Sequence, residues 1–403
     1  MKESFRKKNT NLDFDFGVAE DEKKGKLMFD FILPIAVFLL SGFGLLIIYS
    51  ATKYSMPGGV TDPMYYLKRQ GYGLLAAAVI FVVIQFFNYR FVQKFWWIFF
   101  LLNIAILGAV FAFGYEVHGS KSWINLKLFP IQPSELAKIL MVISVAALLS
   151  KWPREKENKV GLKKVALSFF AAAVSMLLVL LQPDYGTALI FFTAYMGMLF
   201  ISGANFFYFL GILAATVGGF FAAIKIGLIK QYQLDRILVF LKPDIQKEGI
   251  GYSLFQSKLA IGSGGLWGKG LFLGKQTNLS YVPEHHTDFI FSVIGEEIGF
   301  FGAVLIILVL ALIIWRCFYI ASKAQNSFGS LIASGIGFII LTQVVINIGM
   351  TIGIMPIIGI PLPFLSYGSS NLISIFIGIG LVENVYLRRD LRKSHEIAYQ
   401  EFD

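Results

Sequence analysis

The sequence predicts an all-α polytopic membrane protein of about ten transmembrane helices, with one large extracytoplasmic loop between helices 7 and 8. Three observations carry that prediction. Hydrophobic residues fill 56% of the 403 positions, above the roughly 45–50% of soluble globular domains. Mean hydropathy is +0.69. Apolar runs of about 20 residues, long enough to cross the hydrocarbon core, recur at 30–51, 72–88, 95–114, 132–150, 163–181, 187–202, 206–228, 289–315, 328–353 and 366–387.

The segments outside these runs follow in order. Residues 1–26 are polar and of mixed charge with no apolar core, which predicts a disordered cytoplasmic tail and not a cleaved signal peptide. Residues 27–390 form the membrane domain, and 391–403 a second cytoplasmic tail. Lys and Arg set the orientation. With the N-terminus inside, the inner segments hold 21 basic residues and the short outer ones 5, so both termini are expected in the cytoplasm. The long segment at 225–288 carries eight more on the outer side, but long loops cross regardless of charge. A net charge of +10 distributed this way orients a membrane protein and does not point to nucleic acid. The single cysteine, Cys317, fits a small apolar filler at a helix end.

Polar clusters interrupt the apolar runs and mark the candidate sites. The fourth run opens with Gln132, Pro133, Ser134, Glu135 and Lys138; proline suits a first helical turn, and Glu135 with Lys138 at i, i+3 share a face. That pair reads equally as a structural ion pair or as a substrate contact. Gln182, Pro183 and Asp184 turn into the sixth run, where Asp184 suits a helix cap. In the long loop, 231–241 places Leu234, Ile237, Leu238 and Leu241 on one helical face, the pattern of an interfacial helix, with Arg236 turned away. A glycine-rich turn follows from Ile261 to Gln276. It reads either as a flexible turn or as an anion nest assisted by Lys269 and Lys275.

The densest cluster is SYVPEHHTDFIFSVIGEEIGFFG, from Ser280 to Gly302, where Glu284, His285, His286 and Asp288 run into an apolar helix. Charge at the mouth of a membrane helix is costly unless paired or used. Asp288 lies near the first turn, where the helix dipole favours the ionised form. Asp288 reads as a catalytic carboxylate, or else it or Thr287 as a simple N-cap. Glu296 and Glu297 lie about 12–13.5 Å further along the axis and are expected to hold the bundle together. Adjacent histidines point apart on a helix, so His285 and His286 are poor partners for one metal. The Pro- and Gly-rich segment from Pro356 to Asn371 forbids a continuous helix and needs protein or a cavity around it.

Taken together, WINLKLFPIQPSELAK, QPDYGTALI, YQLDRILVFLKP, GYSLFQSKLAIGSGGLWGKG, PEHHTDFIFSVIGEEIGFFG and NIGMTIGIMPIIGIPLPFLSYG resemble the SEDS family of bacterial shape, elongation, division and sporulation proteins, its elongation branch above all. The likeness runs from about Phe29 to Arg389. It implies a ten-helix glycosyltransferase of the bacterial cytoplasmic membrane that polymerises lipid II into glycan strands, with undecaprenyl-linked glycan as its growing product. It places the essential acid on Asp288 and further functional residues on Asp184, Glu135 and Lys138. It also implies a divalent cation, Mg or Mn, with ligands not identified, and a class B penicillin-binding protein as transpeptidase partner, alongside membrane lipids. In two places the chain departs from the pattern. Ser122 precedes Trp123 where relatives carry Arg, which leaves Lys121 to substitute. Ser369 replaces the second glycine of SYGGS, which is expected to tighten or re-route that loop.

The chemistry is consistent with the resemblance. Extending a glycan requires a hydroxyl to attack an anomeric carbon that bears a lipid pyrophosphate, and a positioned carboxylate can accept its proton. Asp288 is the candidate base, with Glu284 and His286 near enough to orient it. Arg236, Lys269, Lys275 and Lys138 are available to neutralise the leaving group. A lipid II flippase and a non-catalytic scaffold for a penicillin-binding protein are the alternatives.

Overall fold

The computed structural model describes residues 29–54, 62–117, 119–125, 130–150, 160–226, 240 and 250–389. The two tails, Arg236 and nearly all of the expected interfacial helix at 231–241 lie outside the described residues. The order is α1 (Ile32–Thr52), α2 (Tyr65–Phe86), a short α3 (Tyr89–Lys94), α4 (Trp96–Phe113), β1 (Tyr115–Val117), β2 (Ser120–Asn125), β3 (Pro130–Ile131), α5 (Pro133–Leu149), α6 (Leu162–Leu180), α7 (Tyr185–Ile201), α8 (Phe206–Ile226), α9 (Ile250–Ser263), α10 (Lys275–Asn278), α11 (Ile290–Lys323), α12 (Ser327–Ile352) and α13 (Ser369–Leu387). A long helix stands at each of the ten expected spans. Eight of these helices are long and apolar enough to cross a membrane, while α5 and α7, of 17 residues each, are shorter.

α5 is the centre. Its sequence is apolar on every face, as a fully buried helix must be, and all its residues but Leu136 are buried. α4, α6, α7, α12 and α13 pack around it. α1 lies against α2 and α11, and α2 lies along α13. α8 touches α7 at the periphery and exposes Phe206, Phe207 and Leu210. At one end of the bundle Arg316 donates from Nε and Nη2 to Asp30 Oδ2 at 2.9 and 2.5 Å, and the Asp30 amide donates to Glu383 Oε1 at 2.7 Å. Cys317 beside them is buried, as a filler would be.

The other end carries the irregular structure. Between α4 and α5 a three-stranded antiparallel sheet, ordered β1-β2-β3, replaces a plain loop. Lys121 on β2 donates to the Phe111 carbonyl at 2.8 Å, and Ser122 is buried.

α11 differs from the uninterrupted run its apolar sequence predicts, because it breaks at Gly299, where φ is +69°. A β-carbon there would sit 2.2 Å from the Gly268 nitrogen, so only glycine lets the glycine-rich segment come this close. The backbone groups freed by the break are taken up by that segment. Lys269 N donates to Glu296 O, Gly270 N to Glu297 O, Phe300 N to Gly265 O and Phe301 N to Leu266 O. Irregular backbone is tolerated at membrane depth only when its polar groups are satisfied in this way.

Candidate functional site

A turn from Glu284 to Phe289 leads into α11 and presents Asp288. Thr287 N and Phe289 N both donate to the Glu284 carbonyl, at 3.2 and 3.1 Å. The N-cap of α11 is Phe289, which has no side-chain cap. The Thr287 hydroxyl instead reaches back to Glu284 O and Oε2, at 3.2 and 3.1 Å.

What fixes the turn is its backbone. Asn347 of α12, fully buried, donates both amide hydrogens to carbonyls, one to Asp288 O at 2.8 Å and one to Ile360 O at 2.7 Å. Ser366 Oγ donates to Thr287 O at 2.6 Å and accepts from Leu362 N at 2.8 Å. Tyr367 N donates to His286 O at 3.0 Å. The turn and the segment 356–367 are thereby one unit. Gly359, with φ +78°, lies directly against the carboxylate, since a β-carbon there would be 3.0 Å from Asp288 Oδ2.

The two histidines diverge, as adjacent residues should. Both ring nitrogens of His285 face backbone carbonyls, Val282 O and Ala51 O, at 2.7 Å each, which joins the turn to the last turn of α1. His286 packs among Tyr66 and Tyr367. Burial, together with neighbouring His285, lowers the His286 pKa to about 4, so the ring is neutral at physiological pH.

A second polar cluster assembles Asp184, Glu135 and Lys138. Asp184 is the N-cap of α7, accepting from Thr187 N at 3.0 Å and Thr187 Oγ1 at 2.8 Å. Its Oδ2 also accepts from Gln132 Nε2 at 3.2 Å, which ties α7 to the start of α5. Burial pushes the Asp184 carboxyl above its ordinary range, the Thr187 bonds oppose this, and nearby Glu135 adds to it. Lys138 Nζ lies 2.8 Å from Glu135 Oε2, and both side chains are sealed, at 1% and 5% exposure. Ser374 of α13 donates to the same Glu135 oxygen at 3.3 Å.

The segment 356–367 is the wall shared by the two clusters. Gly359 meets Asp288, and Gly186, two residues after Asp184, is so close to Ile358 and Ile360 that a β-carbon would clash at 2.9 and 3.1 Å. Ser369, in place of the expected glycine, donates its hydroxyl to Arg69 O at 3.4 Å. It opens α13 and packs its side chain on Gly73 of α2.

Of the lysines expected near the leaving group, Lys269 is held in an ion pair with Glu296. Lys269 Nζ bonds Glu296 Oε1 and Ser263 Oγ, at 2.7 Å each. Glu296 also accepts from Gln276 N, Thr277 N and Thr277 Oγ1, at 2.9, 3.0 and 2.8 Å. The amides of Gly268, Lys269 and Gly270 all donate to backbone carbonyls, so that stretch is a scaffold and not an open nest. Lys275 is exposed and opens α10. Glu297 accepts from Ser50 and is buried.

Sequence reasoning missed Asn347, Gly359, Tyr66, Tyr367 and Arg69. The last is drawn in because α2 begins at Tyr65, seven residues before the apolar run at 72. Its polar first turns, YYLKRQ, depress the hydropathy there.

No three His, Cys, Asp or Glu side chains converge as a metal cage among the described residues. The donor chemistry that fits is a hard cation held by one or two carboxylates with substrate phosphates completing the shell. Glu284, exposed on the turn, would be one such carboxylate.

Residues 31–390 match the FtsW, RodA and SpoVE family model, described as a cell cycle protein. The chain is 37% identical over 292 residues to the peptidoglycan glycosyltransferase MrdB of Escherichia coli K12, covering 72% of this chain and 78% of that one. A solved chain described as "Structural coordination of polymerization and crosslinking by a peptidoglycan synthase complex" superposes with a TM-score of 0.74 at 27% identity, over 90% of this chain and 99% of that one. A mutant of the rod shape determining protein RodA from Thermus thermophilus superposes with a TM-score of 0.66 at 28% identity, again over 90% and 99%. The chain belongs to the SEDS family, and within it is RodA-like.

Proposed function

We propose that this chain is a peptidoglycan glycosyltransferase that polymerises lipid II during cell elongation, with Asp288 as general base. The observation that carries the reading is the Asp288 turn itself. The acid lies half-buried at the mouth of a membrane helix, its backbone clamped by Asn347 and its carboxylate beside a glycine. A positioned base of this kind contributes about 10²- to 10⁴-fold.

In the reaction the acceptor hydroxyl gives its proton to Asp288 as its oxygen bonds to the anomeric carbon of the donor. The carbon–oxygen bond to the lipid pyrophosphate breaks, and the pyrophosphate leaves with the electron pair. A divalent cation, Mg or Mn, would neutralise charge on that leaving group when bound. The Asp184, Glu135 and Lys138 cluster supports the far side of the shared wall. Lys138 is engaged by Glu135 and buried, so its part is to hold the wall in place.

The basic residues favour the irregular end of the bundle as the outer face of the bacterial cytoplasmic membrane, with both termini inside. The solved neighbour is described as coordinating polymerisation with crosslinking, which supports a class B penicillin-binding protein as the partner here.

The test is purified protein with its transpeptidase partner, a divalent ion and labelled lipid II. Wild type should yield glycan ladders and Asp288→Asn none. Absence of ladders from well-folded wild type, with lipid scrambling in vesicles, would establish a flippase instead.

A further inference from the structure

Beside Asp288 three rings from three elements close on one another. Tyr66 of α2 meets Tyr367 at 5.0 Å between centroids and 81°, and meets His286 at 5.1 Å and 64°. His286 and Tyr367 are 5.9 Å apart at 40°. Rings set nearly at right angles form a corner and leave part of their faces uncovered. Tyr66 and Tyr367 are only half-buried, whereas the core tyrosines Tyr89 and Tyr195 are sealed at 1% and 0%.

The corner is rigid and registered to the acid. Tyr367 N bonds His286 O at 3.0 Å, and the neighbouring Ser366 bonds Thr287 O at 2.6 Å. Tyr65 extends the cluster, packing edge-on against Tyr66 at 5.2 Å. Arg69 donates from Nη1 to the Tyr65 hydroxyl at 2.6 Å. On the turn itself Glu284 is exposed. The rim is thus polar and carries both charges. His286 is buried behind the two tyrosines, its ring packed against both and its Nδ1 without a hydrogen-bond partner.

A corner of aromatic faces with a polar rim suits a pyranose. One face of the sugar ring presents C–H groups to the electron-rich aromatic face, while its hydroxyls point outward to polar side chains. Resting on the polymerase reading above, we propose that Tyr66 and Tyr367, backed by the buried ring of His286, form a saccharide platform that seats the acceptor sugar with its attacking hydroxyl toward Asp288.

Kinetics with lipid II and binding of soluble peptidoglycan disaccharide test this together. Tyr66→Leu should raise KM by roughly 3- to 10-fold, the worth of one aromatic contact, with a smaller change in kcat. Disaccharide binding to the catalytically silent Asp288→Asn protein should weaken by a similar factor when Tyr66→Leu is added. Tyr66→Phe, which keeps the ring, should recover most of the affinity. If Tyr66→Leu does not fold, Tyr367→Leu is measured in the same way. Unchanged KM and unchanged disaccharide affinity in a folded variant would overturn the platform while leaving the polymerase intact. Wild type that binds disaccharide through Tyr66 but makes no glycan would overturn the polymerase reading and keep the platform.

Discussion

Asp288 and Glu296 lie eight residues apart in one stretch, yet the structure holds them in opposite ways. Glu296 is fully buried and its carboxylate collects four donors, from Lys269, Gln276 and twice from Thr277. Asp288 is half-buried, and Asn347 donates to its main-chain oxygen. An acid whose carboxylate is saturated by protein donors fixes a scaffold. One positioned through its backbone, with the carboxylate near a solvent-facing surface, has the arrangement a base needs. Lys269 stands on the scaffold side of this comparison, bonded to Glu296.

That contrast can be broken by mutation. Asn347→Ala removes the two donors by which α12 joins the turn to the wall, and misplacement of about 1 Å is enough to lose much of an enzyme's rate. We expect kcat to fall roughly 10- to 100-fold with KM little changed, read by initial rates of glycan formation. Glu296→Gln should leave the chemistry alone and cost about 2–3 kcal/mol of stability. The figure is at the low end for a broken buried pair because Lys269 stays 27% exposed. Thermal unfolding in detergent measures it, and a variant as stable as wild type would refute the scaffold role.

The smallest effect concerns His286. Its pKa falls from the ordinary value near 6.5 to about 4 in the fold, so the unfolded chain binds the extra proton first as pH drops. Stability is fully present above pH 6.5 and declines as pH falls through that window, by about 2 kcal/mol at pH 5. His286→Gln should flatten that slope.

Much of this was legible in the sequence. The ten spans follow from apolar run length, and the separation of Asp288 from Glu296 follows from helical rise alone. The capping role of Asp184 and the Glu135–Lys138 pair also follow from local spacing. The remainder depends on contacts between distant segments. Asn347 looks like an ordinary polar residue in an apolar run until α12 is folded against the turn and the wall. Tyr66 and Arg69 sit in the polar start of α2, which hydropathy reads as loop. The break at Gly299 is invisible because its immediate neighbours, Ile298, Phe300 and Phe301, read as part of an unbroken span. The anion-nest reading of the glycine-rich turn fails for the same reason, since its amides are claimed by α11.

The most direct test sets the two acids side by side. Glycan formation from lipid II is measured at equal folded concentration for wild type, Asp288→Asn and Glu296→Gln. The account predicts a loss of at least about 10²-fold for Asp288→Asn with unfolding temperature unchanged, and a near wild-type rate for the folded fraction of Glu296→Gln. Polymerisation by Asp288→Asn at the wild-type rate would contradict it.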